Sequence, residues 1–182
     1  MASPLNYHLG VIMPKTLVPD FVFDKFSDVT VDFLKEHNIT ALLSDVDNTL
    51  SPYEHDVPND EVREWVKSLN ENGIKIALVS NNNYERLDKY NAEMGLVAYA
   101  DAGKPSRKCY IKAAHDLGVD LADCAVLGDQ LLTDCWSARR VGIPCIIVPP
   151  IKDKRDLFHR FKRAVEVPFM KAYYRKKKKN DK

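Results

Sequence analysis

Two aspartates that could act on one site, Asp45 and Asp47, follow the short apolar run at 41–43. The run predicts a buried strand, and Asn48 and Thr49 after it predict a turn. Side chains at positions i and i+2 of a strand point to the same face, so both carboxylates can act on one group. Because close carboxylates repel each other, they require a divalent cation or a shared proton. The spacing therefore favours a chemical site over the alternative, a solvated strand-to-turn segment.

Polar side chains also follow the next three predicted strands, which lie at 74–79, 96–100 and 125–127. These residue types suit phosphoryl transfer, in which a carboxylate attacks phosphorus and a second carboxyl group moves the proton. A hydroxyl and an ammonium then hold the phosphoryl oxygens. Several acids around one point favour Mg²⁺, which prefers oxygen ligands. In chain order the side chains are Ser80 and Asn81, then Lys104, then Asp129 and Asp134.

The predicted elements alternate between strand and helix and end with a fifth strand at 143–148. This alternation predicts an α/β fold with a doubly wound, Rossmann-like parallel sheet that is covered on both faces. Ligands of such sheets bind at the carboxyl ends of the strands, where the polar residues gather. We predict a single domain with a core at 39–150, an N-terminal segment at 1–38 packed on it, and a basic C-terminal helix and tail at 151–182. Prolines predict an irregular path up to Asp28.

Two strings resemble motifs of the haloacid dehalogenase-like (HAD) phosphohydrolases: D-V-D-N-T-L, which begins at Asp45, and G-D-Q-L-L-T-D, which begins at Gly128. The residues of these two motifs resemble those of the subclass IIIA phosphatases. They are most similar to those of a bacterial and mitochondrial subfamily associated with dephosphorylation of phosphatidylglycerophosphate. The resemblance implies a HAD-like sheet with the strand order 5-4-1-2-3. That order places the strands before Asp45 and Asp129 side by side.

The resemblance also implies a role for each polar side chain. It implies Asp45 as the nucleophile and Asp47 as the general acid and base, while Lys104 steadies the nucleophile and the phosphate. The other implied roles are phosphate binding by Ser80, Asn81 and Lys104, Mg²⁺ binding by Asp45, Asp47 (through its backbone carbonyl) and Asp129, and support of that metal site by Asp134 and Thr49.

No insertion large enough for a cap domain interrupts the predicted core. Family members often carry a cap after the first motif or between the second and third motifs. Here the first gap is a loop of about ten residues, an ordinary length for a connection. The resemblance therefore implies a capless enzyme with an open site. An open site suits a phosphate that is presented by something large, or a second subunit that covers the site by oligomerisation.

The predicted function is a Mg²⁺-dependent phosphatase that hydrolyses a phosphomonoester through an aspartyl-phosphate, with phosphatidylglycerophosphate as a candidate substrate. An alternative with the same chemistry is a phosphatase of a soluble sugar phosphate or nucleotide. An alternative of another class is a receiver-like signalling domain, which stores a phosphoryl group. Receiver domains place their acids on different strands, whereas Asp45 and Asp47 share one. An inactive scaffold is disfavoured because every motif position is filled.

The composition is that of a globular protein, with 45% hydrophobic and 29% charged residues. No apolar run reaches the roughly 20 residues of a membrane-spanning helix, and the first residues lack the pattern of a signal peptide. The cysteines form no C-x-x-C pair, which favours reduced thiols in a cytosol over a zinc site. We therefore predict a cytoplasmic protein. The four cysteines are Cys109, Cys124, Cys135 and Cys145.

The net charge of +1 hides an asymmetry between the body and the C-terminal end. From Lys152 onward the chain has 13 Lys or Arg and 4 Asp or Glu, so this part carries +9 and the rest carries −8. Apolar and basic residues are interspersed at helical spacing over 156–179, and Pro168 predicts a break in that helix. One interpretation is a terminal helix that docks on the body. Another is a basic amphipathic surface that contacts the anionic inner face of a membrane.

Nucleic acid is a third partner class for the basic end, and we do not expect it. The acidic body offers no extended basic groove along which a phosphate backbone could lie. The expected partner is instead a phosphorylated small molecule or a lipid head group.

Overall fold

The structure is a computed structural model that describes residues 17–152 and 157–180, with side chains of the last helix from Ala164 to Lys179. Across these residues the central element is a sheet of six parallel strands in the order β1-β6-β5-β2-β3-β4. The predicted Rossmann-like α/β fold and the predicted order 5-4-1-2-3 are confirmed, the latter as β6-β5-β2-β3-β4. The strands are Phe21–Val22 (β1), Ala41–Ser44 (β2), Lys75–Val79 (β3), Val97–Tyr99 (β4), Cys124–Gly128 (β5) and Cys145–Ile147 (β6).

The edge strand β1 corrects the prediction of an irregular path up to Asp28. Phe21–Val22 pairs with β6, and Asp20 N–H adds a hydrogen bond of 3.1 Å to the Cys145 carbonyl. A strand of two residues is too short to show the alternation that predicts strands. Pro19 precedes it, and proline is tolerated at such an edge. The part of the predicted irregular segment before Leu17 lies outside the described residues.

Helices pack on both faces of the sheet. Polar side chains start several of them, because Thr30, Asn59 and Asn83 each accept a hydrogen bond from the backbone N–H of the third helical residue. Gly118 ends α4 in the left-handed conformation, at φ 65°. The helices are Val31–Glu36 (α1), Asp60–Glu71 (α2), Tyr84–Asn91 (α3), Lys108–Leu117 (α4), Trp136–Val141 (α5) and Leu157–Asn180 (α6).

Alternate residues of the central strand β2 face two separate cores. Leu42 packs in a core that includes Trp65 of α2 and Tyr90 of α3. Leu43 packs in a second core that includes Tyr110 of α4. Burial on both faces explains why the central strands are continuous apolar runs rather than alternating ones. Because both faces of β2 pack against these cores, the position of the strand is fixed. The position of the aspartates that follow it is fixed as well.

The C-terminal helix α6 continues through Pro168, so the predicted break at that residue is wrong. Proline removes one helical hydrogen bond, but α6 is held on the body on both sides of it. Glu166 is buried, and Phe169 and Met170 pack against the second core. Side chains predicted to form the helical pattern between 157 and 163 lie outside the described residues. Within the described chain, no helix is both long and apolar enough to cross a membrane.

Candidate active site

The predicted site residues meet at the carboxyl ends of β2, β3 and β5, around a cavity of about 300 Å³. Asp45 follows β2, Ser80 follows β3 and Asp129 follows β5, while Lys104 reaches the same place from the loop after β4. Asp129 is 2% exposed and is not part of the cavity lining. The lining residues are Asp45, Asp47, Asn48, Tyr53, Ser80, Asn81, Asn82, Lys104, Gln130 and Thr133.

Lys104 joins two segments of the site through its ammonium group. Its Nζ lies 2.5 Å from Asp45 Oδ1 and 2.8 Å from Asp134 Oδ1, and all three side chains are buried. Burial alone would lower the pKa of Lys104, but the charges of Asp134 and Asp45 outweigh it and raise the pKa well above its usual range. Lys104 therefore carries its positive charge between two carboxylates at neutral pH.

Asp45 is fixed at the centre of the site by both of its oxygens. Oδ1 accepts from Lys104, and Oδ2 accepts from the hydroxyl of Thr49 at 3.0 Å. Burial raises the pKa of Asp45 to about 6. Lys104 opposes this shift, while the charges of Asp134 and Asp47 add to it. The protein alone therefore leaves the Asp45 charge undercompensated.

The buried acids beside Lys104 have the composition of a cation site. Carboxylate oxygens of Asp45, Asp129 and Asp134 all lie within 4.8 Å of one another. When the three acids are ionised, the Lys104 ammonium leaves two negative charges uncompensated. Oxygen ligands with that net charge fit a hard divalent cation. The cluster includes Asp134, which the resemblance implies only as a supporting residue.

Asp134 reaches the cluster because Gly128 has no side chain. A Cβ on Gly128 would lie 2.3 Å from Asp134 Cγ, so any larger residue would displace that carboxylate. Asp134 Oδ2 accepts from the backbone N–H of Gln130 at 3.1 Å and from the Thr133 hydroxyl at 3.3 Å. The residue sits on a π-helical turn, Leu131–Cys135, and such turns are frequent at functional sites.

Asp47 lies at the wall of the cavity and is held on both oxygens. Arg86 Nη2 donates to Oδ1 at 3.1 Å, and Asn82 Nδ2 donates to Oδ2 at 3.2 Å. The Ser80 hydroxyl is 3.4 Å from the same Oδ2 and accepts from the Asn82 N–H at 3.0 Å. These donors fix the Asp47 carboxylate beside Asp45, with 17% of its side chain exposed.

The predicted phosphate-binding residues also organise each other. Asn81 Oδ1 accepts from the backbone N–H of Lys104 at 2.7 Å, so the segment after β3 holds the loop after β4. Ser80 is 1% exposed and faces the cavity beside Asn81. A hydroxyl, an amide and an ammonium thus converge on one wall, which is the donor set that a phosphoryl group requires.

Sequence reasoning missed two charged residues of this region, Arg86 and Glu166. Each carried a signal. Arg86 lies in the first turn of α3, where a cation opposes the helix dipole, and the pairing with Asp47 compensates for that position. Glu166 is the one acid within the sequence 157–180. An isolated acid in a basic amphipathic helix indicates a specific partner.

Glu166 connects the terminal helix to the segment that carries Asp129 and Asp134. Its side chain is buried, and Oε1 accepts from the backbone N–H of Leu131 at 2.8 Å and of Leu132 at 3.4 Å. These N–H groups start the helical segment of Asp134, and N–H groups at a helix start lack partners within the helix. The docked position of α6 therefore contributes directly to the shape of the acidic cluster.

Comparisons with known proteins identify the family and the fold of this chain. The family described as "Hydrolase: haloacid dehalogenase-like hydrolase" matches residues 18–142. The protein named "Probable phosphatase YqeG" from Bacillus subtilis (strain 168) is 33% identical over 165 residues, which cover 91% of this chain and 96% of that protein. An uncharacterised protein from Listeria monocytogenes serotype 4b shares the fold, with a TM-score of 0.51 and 19% identity over 65% of this chain and 85% of that chain.

A hypothetical protein from Xanthomonas campestris, XCC2798, gives the same TM-score of 0.51, with 19% identity over 70% of this chain and 73% of that chain. Both structural similarities concern the fold. The family match covers more than half of the chain and contains every residue of the acidic cluster. The protein is therefore a member of the haloacid dehalogenase-like hydrolase family.

Proposed function

We propose that this enzyme is a phosphatase that hydrolyses phosphomonoesters through a phosphorylated Asp45. The observation that carries the proposal is the fixed Asp45 carboxylate, which borders the cavity between Lys104 and Thr49. A carboxylate in that position can attack a phosphorus atom without first having to reorient. The name of the Bacillus subtilis relative, a phosphatase, supports the same reaction.

The proposed reaction has two steps that use the same pair of aspartates. Asp45 attacks phosphorus while Asp47 gives a proton to the leaving oxygen, which forms the aspartyl-phosphate and frees the alcohol. Asp47 then takes a proton from water, which attacks the intermediate and releases phosphate. Ser80, Asn81 and Lys104 bind the phosphoryl oxygens in both steps. The motif spelling supports subclass IIIA as the place of this enzyme within the family.

We further propose Mg²⁺ as the cofactor. Asp45, Asp129 and the backbone carbonyl of Asp47 would hold it, with Asp134 and Thr49 in support. When bound, such an ion supplies positive charge against the oxygens of the phosphoryl group. The support for this proposal is the charge of the buried acidic cluster, which exceeds what Lys104 compensates.

Metal removal tests the function. With p-nitrophenyl phosphate and Mg²⁺, the protein is expected to release many phosphates per chain, to stop when EDTA is added, and to resume when Mg²⁺ is restored in excess. A receiver-like domain would instead incorporate phosphate from acetyl phosphate up to one group per chain and then stop. Turnover that is unaffected by complete metal removal would contradict the proposed cofactor.

The proposed reaction does not identify the substrate, so a panel of phosphoesters must be compared. The loop after Asp47 is short, and among the described residues no cap domain lies over the cavity, which suits a phosphate on a large or membrane-bound molecule. Phosphatidylglycerophosphate is one proposed substrate, and soluble sugar phosphates and nucleotides are the alternatives. Relative kcat/KM values across these classes decide between them, because a true substrate exceeds p-nitrophenyl phosphate by orders of magnitude.

We also propose that the basic end of α6 contacts an anionic membrane surface on the cytoplasmic side. The described side chains of Arg175–Lys179 are all exposed, while Phe169 and Met170 hold the helix on the body. Each Lys or Arg near an anionic surface contributes about 1 kcal/mol. Replacing Lys176, Lys177, Lys178 and Lys179 by glutamine should therefore weaken vesicle binding by two to three orders of magnitude at low salt.

Sedimentation with vesicles that contain phosphatidylglycerol measures this binding, and vesicles of phosphatidylcholine alone are the control. Replacement of exposed lysines elsewhere, such as Lys67 and Lys89, should leave binding nearly unchanged. If the wild-type protein fails to sediment with anionic vesicles at low salt, the basic end is only a solvated part of a docked helix.

A further inference from the structure

Arg86 is a nearly buried arginine whose guanidinium serves two parts of the site. Its side chain is 10% exposed. On one side Nη2 pairs with Asp47 Oδ1 at 3.1 Å. On the other side the group donates to the carbonyls of Pro52 (3.5 Å) and His55 (2.5 Å) and to the Asp56 carboxylate (3.1 Å). One side chain thus joins the aspartate to the loop that follows the first motif.

Arg86 makes most of the described hydrogen bonds that reach that loop, at 52–56, from outside it. All side chains from 53 to 57 are exposed, so the loop contributes none of them to a core. Outside the loop, Glu54 pairs with Lys152 at 2.8 Å, but both side chains are more than half exposed. Exposed pairs of this kind contribute between about 0 and 1 kcal/mol. Arg86 is therefore the principal anchor of the loop among the described contacts.

The loop brings Tyr53 to the mouth of the cavity. Among the described residues that line the cavity, Tyr53 is the one aromatic side chain, and the others are polar. Tyr53 is 46% exposed, and the centroid of its ring lies 5.7 Å from the Arg86 guanidinium carbon, which is a cation–π distance. Arg86 thus supports the ring from within, and the ring offers the cavity an apolar face.

We propose that Tyr53 contacts the leaving group of the substrate. Arg86 is then the positioning residue that holds Tyr53 and Asp47 in place relative to each other. This inference rests on the proposed phosphatase function. The predicted substrate class is a phosphomonoester whose leaving group carries a ring or another flat apolar face next to the phosphate. Phosphoesters with very small leaving groups gain nothing from Tyr53.

Two substrates distinguish the contact between Tyr53 and the leaving group from the phosphoryl transfer itself. p-Nitrophenyl phosphate carries a ring, whereas acetyl phosphate has a leaving group of two carbons. Tyr53→Ala is expected to lower kcat/KM for p-nitrophenyl phosphate about tenfold, mainly through KM, and to change acetyl phosphate hydrolysis less than twofold. Tyr53→Phe keeps the ring and should retain most of the activity on both. An equal loss on both substrates, or a Phe variant as poor as the Ala variant, overturns the contact.

Arg86→Lys tests the positioning role, because lysine keeps the charge but cannot reach Asp47 and the loop with one forked group. We expect the variant to lose the preference for the aryl substrate, as Tyr53→Ala does, and also to lower kcat on both substrates about tenfold. The matched control, Glu54→Gln, removes the exposed anchor of the same loop and should leave both substrates within twofold of wild type. Unchanged kinetics in Arg86→Lys overturn the role.

A readout without turnover completes the test. Chymotrypsin should cleave the full-length protein after Tyr53 at least fivefold faster in Arg86→Lys. The rate should be unchanged in Lys152→Gln, which removes the partner of Glu54 without changing the residues beside the cleaved bond. Mass spectrometry of the fragments identifies the cut. Equal cleavage rates in all three proteins would show that Arg86 does not hold the loop. If the wild-type protein hydrolyses neither substrate, the proposed function fails, and this cleavage assay still decides whether Arg86 anchors the loop.

Discussion

Replacement of Asp45 by asparagine is expected to lower kcat for phosphate release by at least about a thousandfold. The amide has the shape of the carboxyl group but cannot attack phosphorus. Lys104 keeps its pairing with Asp134 at 2.8 Å, so the architecture around position 45 persists. Initial rates with p-nitrophenyl phosphate and saturating Mg²⁺ measure the effect. The control is Asp60→Asn, which changes an exposed acid of α2 and should leave kcat unchanged.

The same variant should not be less stable at neutral pH, and this separates lost chemistry from lost folding. Burial raises the pKa of Asp45 to about 6, above the usual 3.8. Such a group stabilises the fold at low pH, and the contribution disappears as the pH rises through 6. At pH 7 without divalent cations the buried charge of ionised Asp45 therefore lowers the free energy of unfolding. Urea unfolding of Asp45→Asn at pH 7 in EDTA should give a free energy of unfolding equal to or above that of wild type.

If the Asp45→Asn protein kept a tenth of wild-type kcat, Asp45 would not be the nucleophile. A variant that loses activity together with several kcal/mol of stability would leave the loss of activity explained by unfolding, against the expectation from the buried charge.

Replacement of Lys104 by methionine is expected to destabilise the fold by about 3–5 kcal/mol in the absence of divalent cations. The change leaves the buried carboxylates of Asp45 and Asp134 facing each other without the cation that both contact. Methionine keeps most of the apolar stem, so the loss reports the charge. Urea unfolding in EDTA at pH 7 measures it. Mg²⁺ should restore part of the lost stability, because it supplies positive charge to the same cluster.

The control for Lys104 is another paired lysine at the surface. Lys89 contacts Glu85 at 2.9 Å, but both side chains are more than half exposed. Lys89→Met should therefore change the free energy of unfolding by less than about 1 kcal/mol. Equal stability of the two variants would mean that the Lys104 contacts do not compensate the charges of the site.

Phosphatase activity of Lys104→Met should also fall at least about a hundredfold, since the phosphoryl oxygens lose their ammonium partner.

The sequence was sufficient to predict most of the sheet, because its signals are local. Apolar runs, polar caps such as Asn59 and the glycines after helices mark element ends within a few residues. Parallel strands then bring distant residues to one edge, which is how Asp45 and Asp129 could be expected to meet. The strand β1 escaped this reasoning because two residues carry no periodicity. The segment division at 38 and 150 stays a prediction.

The details that escaped prediction depend on contacts between distant segments. The continuation of α6 through Pro168 depends on its docking by Glu166 and Phe169, and the isolated acid at 166 indicates a partner without saying where that partner lies. Arg86 could be read as a solvated helix residue, since only the fold places it against Asp47. The need for glycine at 128 likewise cannot be predicted from the sequence, because it arises from the Asp134 side chain that lies beside it in the fold. Sequence thus predicts which residues gather, and packing decides how each one is held.

Trapping the phosphorylated intermediate tests most directly whether Asp45 is the nucleophile. Acid quenching during steady turnover of p-nitrophenyl phosphate, followed by borohydride reduction, converts a phosphorylated aspartate to homoserine. Peptide mass spectrometry should then find this product at position 45 in wild type and nowhere in the Asp45→Asn protein. Turnover without any modified aspartate, or modification at Asp47 or Asp129 instead, would contradict the assignment of Asp45 as the nucleophile.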